Sequence, residues 1–184
     1  PRLNAAGRLD DMALGIECLL SPSIIDARAK AAHLDDLNKE RRVIENEMKT
    51  QAQANLKLQH NLTPAGNKTG VCLYDDDWHQ GVIGIVASRI KDQLHRPVIA
   101  FAPSGDNEMK GSARSIRGLH IRDALAAIDA KNPGLIQKFG GHAMAAGLTI
   151  EAGHFEQFAR LFDEQASSSL STEDLEQVLI SDGE

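Results

Sequence analysis

The constraint that most narrows the fold lies between Gly70 and Glu151, where short apolar runs alternate with longer helical patterns. Gly70-Val-Cys-Leu-Tyr74 is a compact apolar run suited to a buried strand. Val82 to Leu94 follows with helical apolar spacing, and Arg96-Pro97 ends it. Pro97 to Ala102 reads as a second strand. A turn at Ser104 to Asn107 leads to a third, Glu108 to Ser115. Leu119 to Ala130 has a helical period with Leu119, Ala124, Leu125 and Ile128 inward. Pro133 to Phe139 is expected to be a short helix. Leu148 to Glu151 is the last clear strand, and His154 to Ser167 is an amphipathic helix with Phe155, Phe158, Leu161 and Phe162 on one face. Strand–helix–strand alternation of this kind predicts an α/β fold: a mixed sheet of about five strands covered by helices.

The stretch before Gly70 has a different texture. Residues 1–9 are expected to form an extended or looped lead-in, and Asp10 or Asp11 to cap a short helix through about Leu20. Ser21-Pro22 breaks that helix. Ser23 with Asp26 resembles a capping box, and a long connecting helix should follow to about Leu58. Its apolar seam is Leu34, Leu37, Ile44 and Met48, interrupted by Arg41. The seam is short, which favours a helix packed along one side over a dimerising coiled coil. Residues 59–69 carry Asn61, Pro64, Gly66 and Asn67, a linker composition. The expected organisation is therefore 1–62 with the connecting helix, 68–168 as the α/β domain, and 169–184 as a polar tail, frayed or leading to a missing neighbour. Pro1 in place of an initiator methionine suggests a piece of a longer protein.

Of the 184 residues, 42% are hydrophobic, as in an ordinary globular chain, and no apolar run is long enough to span a membrane. Cys18 and Cys72 lack metal-ligand spacing and read as buried thiols in a reducing compartment, the cytoplasm. A net charge of −6 argues against a broad basic surface but leaves room for local ones. Lys110, Arg114, Arg117 and Arg122 fall in a stretch with no carboxylate before Asp123, and Arg2 and Arg8 form a second acid-free cluster.

Four stretches could carry chemistry. In Lys138-Phe-Gly-Gly-His-Ala-Met-Ala-Ala-Gly147, adjacent glycines permit a tight turn and close approach to a ligand. His142 could donate to a phosphate, bind a metal or transfer protons, and Ala143 to Ala146 would suit a helix start. The bland alternative is a Gly-Gly turn with a solvated histidine. Trp78-His79-Gln80-Gly81 lies between a strand and a helix, where ligands collect, although a Trp78 that caps the core beside a solvated His79 fits the same residues. In Lys110-Gly-Ser-Ala-Arg-Ser115, the strand period puts Lys110, Ser112 and Arg114 on one face, an ammonium, a hydroxyl and a guanidinium suited to a phosphate; an edge strand protected by charge would look the same. Arg2 to Arg8 could clamp a phosphate too. Asp75-Asp76-Asp77 is a possible cation site, but consecutive acids point in different directions. There is no paired-carboxylate cluster, no complete metal site and no catalytic triad. The residues by themselves reach a phosphate-recognising α/β domain and no reaction.

Taken together, Pro-Arg-Leu-Asn-Ala-Ala-Gly-Arg at 1–8, Trp-His-Gln-Gly-Val-Ile-Gly-Ile-Val-Ala-Ser-Arg at 78–89, Lys-Gly-Ser-Ala-Arg-Ser at 110–115 and Gly-Gly-His-Ala-Met-Ala-Ala-Gly at 140–147 resemble the RecJ family of single-strand-specific 5′→3′ DNA exonucleases, within the DHH phosphoesterase superfamily. The resemblance covers nearly the whole chain. It implies phosphodiester hydrolysis with two divalent ions, Mn²⁺ or Mg²⁺, held by a DHH domain that no segment here matches, so no metal is expected on this chain. The chain would form the opposite wall of the cleft, with the DHH domain packed across it, single-stranded DNA as the partner and no membrane. By similarity, Ser112 and Arg114 bind the DNA 5′ end with Arg2 or Arg8, between which the resemblance does not choose. His142 faces the scissile phosphate as a catalytic group. Gly140 and Gly141 let the backbone approach DNA, and His79, Gly81 and Arg89 support or contact the site, with Lys110 beside it. Two other readings compete: a non-catalytic nucleic-acid-binding or dimerisation module, as related domains serve in alanyl-tRNA synthetases, and a DHH-type phosphoesterase acting on short oligonucleotides or pyrophosphate.

Overall fold

The computed structural model describes residues 1–62 and 68–176, with side chains for 1–56 and 68–176. Three helices come first: α1 (Arg2–Leu9), α2 (Ala13–Leu20) and the long α3 (Ile24–Leu62). The α/β part follows as β1 (Val71–Tyr74), α4 (Ile83–Leu94), β2 (Val98–Pro103), β3 (Glu108–Arg114), α5 (Ile121–Lys131), β4 (Lys138–Gly141), β5 (Ala145–Glu151) and α6 (Phe155–Ser169). The five strands form one mixed sheet in the order β1-β2-β3-β5-β4. Only β1 and β2 are parallel, joined by the α4 crossover; the other pairings are antiparallel. The expected α/β architecture and its long preceding helix are both present.

Alternation along the strands divides the core in two. Cys72, Ile99, Phe101, Met109, Ala113, Leu148 and Ile150 face α5 and α6. Phe158 and Phe162 stack at 6.2 Å, and Phe101 meets Phe158 edge-on at 5.6 Å. Each such fully buried ring contributes ~1.5–3 kcal/mol. On the other face Val71, Leu73, Val98, Ala100 and Ala102 pack against Val82, Val86 and Ile90 of the α4 segment and against Met48 and Ala52 of α3. The seam expected on α3 is therefore used within the chain. Leu34 and Leu37 hold Ala5 and Ala6 of α1, while Met48 meets the sheet layer. The interrupting Arg41 is neutralised one turn on by Glu45, and both side chains are mostly buried.

Several expectations are corrected. Residues 2–9 form a helix, not a loop, because Ala5 and Ala6 are small enough to seat α1 directly on α3. Pro133 to Phe139 is not a helix; Leu135 and Ile136 plug the core from a turn, and Lys138 onward is edge strand β4. Ala143 to Ala146 does not start a helix. Residues 142–144 turn a hairpin, and β5 begins at Ala145, three residues earlier than the expected strand. Cys18 is only half-buried, whereas Cys72 is buried as expected. Beyond Ser167 the chain is ordered to Glu176: Leu170 is buried, Ser171 and Asp174 cap each other, and Arg96 Nη1 donates to the Leu175 carbonyl at 2.7 Å. Of the linker expected at 59–69, residues 59–62 instead continue α3, and 63–67 lie outside the described residues, as does the tail from 177.

Candidate nucleic-acid interface

The helices α3 and α4 bury the β1–β2 half of their face of the sheet, and the first turn of α4 reaches over β3. On β3, β5 and β4 the same face carries a different set of residues. Pairing puts Lys110 opposite Thr149 and Thr149 opposite Lys138. The next row is Ser112 opposite Gly147 and Gly147 opposite Gly140. Two of three residues in that row have no side chain, so the sheet beside Ser112 is a flat exposed floor of backbone. Nothing lies within 4 Å of where a Gly140 Cβ would be. Arg114 follows, opposite Ala145. The His142 N–H donates to the Ala145 carbonyl at 2.8 Å, which seats His142 beside Ala145 at the end of β4, two strands from Arg114. Gly141 takes φ +150°, and a Cβ there would strike the Ala145 carbonyl at 2.4 Å, so the hairpin closes only around glycine.

Arg114 is the centre of this surface. Its Nη1 donates to Ser112 Oγ at 3.1 Å and to the Ala113 carbonyl at 2.8 Å. Above it, at the end of α1, Arg8 Nη1 donates to the Gly81 carbonyl at 3.2 Å. Among the described residues neither guanidinium has a carboxylate partner within 4.0 Å. Burial, then the neighbouring Arg8 charge, pulls the Arg114 guanidinium below its ordinary pKa, though arginine stays charged at any physiological pH. Both arginines line an open pocket of about 340 Å³ together with Gly84, Ser88, Arg89 and Asp92. Asp92 is itself paired with Lys91 at 2.6 Å, and Arg89 with Glu45 at 3.4 Å. The pocket thus holds two half-buried guanidiniums that no carboxylate among the described residues pairs, Asp92 at its rim being bonded to Lys91, a geometry that suits a phosphate.

The expected site residues do not all gather here. Arg8, Ser112 and Arg114 converge, with Gly140 and His142 at the neighbouring register positions. Arg2 lies elsewhere, bonded through Nε to Asp35 of α3 at 2.5 Å. Lys110 is exposed one row along and donates to Gln80 Oε1 at 3.0 Å. His79 turns inward to its own loop, where Nδ1 accepts the Gly81 N–H at 3.1 Å. Trp78 is buried and donates to Gln51 Oε1 of α3 at 3.0 Å. Gly84 is the residue that sequence reasoning missed: no local pattern reveals that the first turn of α4 lies over Ser112 and Arg114.

Residues 67–168 match the family model described as the DHHA1 domain. The chain belongs to the DHHA1 domain family. It is 52% identical over 186 residues to the single-stranded-DNA-specific exonuclease RecJ of Haemophilus influenzae, covering 100% of this chain and 32% of that protein. The RecJ of Escherichia coli is 50% identical, again over 100% of this chain and 32% of the relative. Among solved structures, RecJ from Thermus thermophilus in complex with Mn²⁺ superposes with a TM-score of 0.78 at 30% identity, over 91% of this chain and 23% of that one. The same protein in complex with Mg²⁺ gives 0.77, again at 30% identity, over 91% and 24%. This DHHA1 chain therefore spans about a third of the length of its curated relatives. Those structures hold divalent ions; among the described residues of this chain no three His, Cys, Asp or Glu side chains converge to form such a centre.

Proposed function

We propose that this chain is the substrate-binding wall of a RecJ-type single-stranded-DNA exonuclease acting 5′→3′, and that it holds the 5′-terminal phosphate between Arg8 and Arg114 with Ser112 Oγ as a third donor. One observation carries the reading: two adjacent half-buried guanidiniums without carboxylates, beside a side-chain-free strip of sheet. A terminal phosphate carries more charge than an internal one and exposes an extra oxygen, so a two-arginine pocket favours it over a hydroxyl end. The backbone floor at Gly147 and Gly140 lets the following sugar-phosphate lie close to the sheet. His142 is the group on this wall offered to the reacting phosphate, with Gly141 shaping its turn. Divalent metal, Mn²⁺ or Mg²⁺, would be held by a DHH domain elsewhere in the full-length protein, facing this surface. Two unpaired cysteines are in keeping with work in the cytoplasm.

The test compares binding of 5′-phosphorylated and 5′-hydroxyl oligothymidylate to this chain and to Arg114→Ala, with Mn²⁺ present and nucleotide release followed in parallel. Tighter binding of the phosphorylated strand, lost in Arg114→Ala, is expected, with no release of nucleotide. Equal affinity for the two ends would favour a general nucleic-acid-binding module. Cleavage by the chain alone would contradict the placement of the metals elsewhere.

A further inference from the structure

Gly84 stands where α4 passes over β3. A Cβ built there would lie 2.8 Å from Arg114 Nη2 and 2.9 Å from Ser112 Oγ, closer than real Cβ atoms approach their neighbours. We propose that Gly84 is a specificity-determining residue: its missing side chain creates the space in which Arg114 and Ser112 present their donors to a terminal phosphate. The inference rests on the terminal-phosphate reading of the Arg8–Arg114 pocket.

The atoms that a methyl group would meet decide its character. At Gly81, one turn earlier, a Cβ would lie 2.0 Å from the Arg8 carbonyl oxygen and 2.8 Å from its carbon. Backbone cannot step aside, so Gly81 is a packing requirement of the contact between α1 and the loop leading into α4. At Gly84 both nearest atoms are side-chain polar tips, and Arg114 has several rotatable bonds with which to retreat. A methyl there is accommodated by the fold and refused by the ligand set. Alanine is also the better helix former, so glycine within α4 has no local advantage. Gly84 borders the pocket together with Arg8 and Arg114, so the displaced guanidinium would swing within the volume the phosphate occupies. The Arg114–Ser112 hydrogen bond, 3.1 Å here, would break with it.

The experiment uses the full-length protein in four forms: unsubstituted, Gly84→Ala, Arg114→Ala and the double variant. For each, the affinity ratio for 5′-phosphorylated over 5′-hydroxyl single strands is measured, together with the thermal midpoint. The expected result is a ratio reduced about ten-fold or more in Gly84→Ala, the scale of one charge-assisted hydrogen bond. The midpoint should be unchanged within error, and the double variant should lose no more than Arg114→Ala, because both act through the same guanidinium. If Arg114→Ala collapses the ratio and Gly84→Ala keeps it, the inference about Gly84 is wrong and the terminal-phosphate reading survives. If Arg114→Ala itself keeps the ratio, the reading fails and takes the inference with it. A Gly84→Ala protein that does not fold would also overturn the proposal, because only side-chain tips were supposed to yield.

Discussion

One face of one sheet meets two different fates. Over β1 and β2 it presents Val71, Leu73, Val98, Ala100 and Ala102, and α3 and α4 close over it completely. Over β3, β5 and β4 the same face presents Lys110, Ser112, Arg114, Gly147, Gly140 and Lys138, and apart from the first turn of α4 beside Ser112 and Arg114 no helix among the described residues closes over it. Strand pairing is continuous across the boundary, so backbone geometry does not set the difference. Side chains do: apolar alternation attracts helices, while charges and glycines offer them nothing to bury. The lesson concerns division of labour. The covered half holds the molecule together and aims α4, and the bare half is free to be chosen for its ligand.

Substitutions should separate the halves cleanly. The largest effect is expected from Ile90→Ala in the covered half, where the side chain is fully buried. A loss of ~2–5 kcal/mol in urea-induced unfolding is predicted. A loss below ~1 kcal/mol would mean that α4 is not packed on the sheet in this way. Next comes Arg114→Ala in the bare half. It should weaken binding of a 5′-phosphorylated strand ~10–100-fold, as for lost hydrogen bonds to a charged group. Stability should change by less than ~1 kcal/mol, because lost hydrogen bonds are offset by relief of repulsion from Arg8. Arg8→Ala should weaken the same binding by about ten-fold, whereas Arg2→Ala should alter it less than about two-fold, as Arg2 is a mostly exposed partner of Asp35. Equal effects of the two would return the choice between them to the open state in which the sequence left it. The smallest effect is chemical. Burial pushes the Cys72 thiol far above its ordinary pKa, while Cys18 is half-buried and only touches the Ala27 carbonyl through Sγ at 3.5 Å. A thiol reagent should therefore label Cys18 first and reach Cys72 only on unfolding; the reverse order would mean that α6 does not cover Cys72.

The sequence exposes the covered half far better than the bare one. Val71–Tyr74, Ile83–Leu94 and Val98–Pro103 all lie within a residue or two of where apolar periodicity put them, because burial on both faces writes itself as hydrophobicity. The shared face of Ser112 and Arg114 is equally legible from a period of two. Failure concentrates where residues are small. Ala-Met-Ala-Ala has helical propensity, yet Ala146, Leu148 and Ile150 are drawn into the sheet core and override it. Gly7 in the first nine residues argues for a loop, and only the seating of Ala5 and Ala6 on Leu34 and Leu37 makes them helical. The choice of Arg8 over Arg2 depends on how α1 sits against Gly81. Gly84 depends on which strand α4 crosses. Both are facts of tertiary contact with no local trace.

A crystal structure of this chain with a 5′-phosphorylated oligothymidylate tests the central claim most directly. The account predicts the terminal phosphate between the Arg8 and Arg114 guanidiniums, within hydrogen-bond distance of Ser112 Oγ, and the next nucleotide over Gly147 and Gly140. A strand bound elsewhere, or one that enters this pocket with its 3′ end, would contradict it.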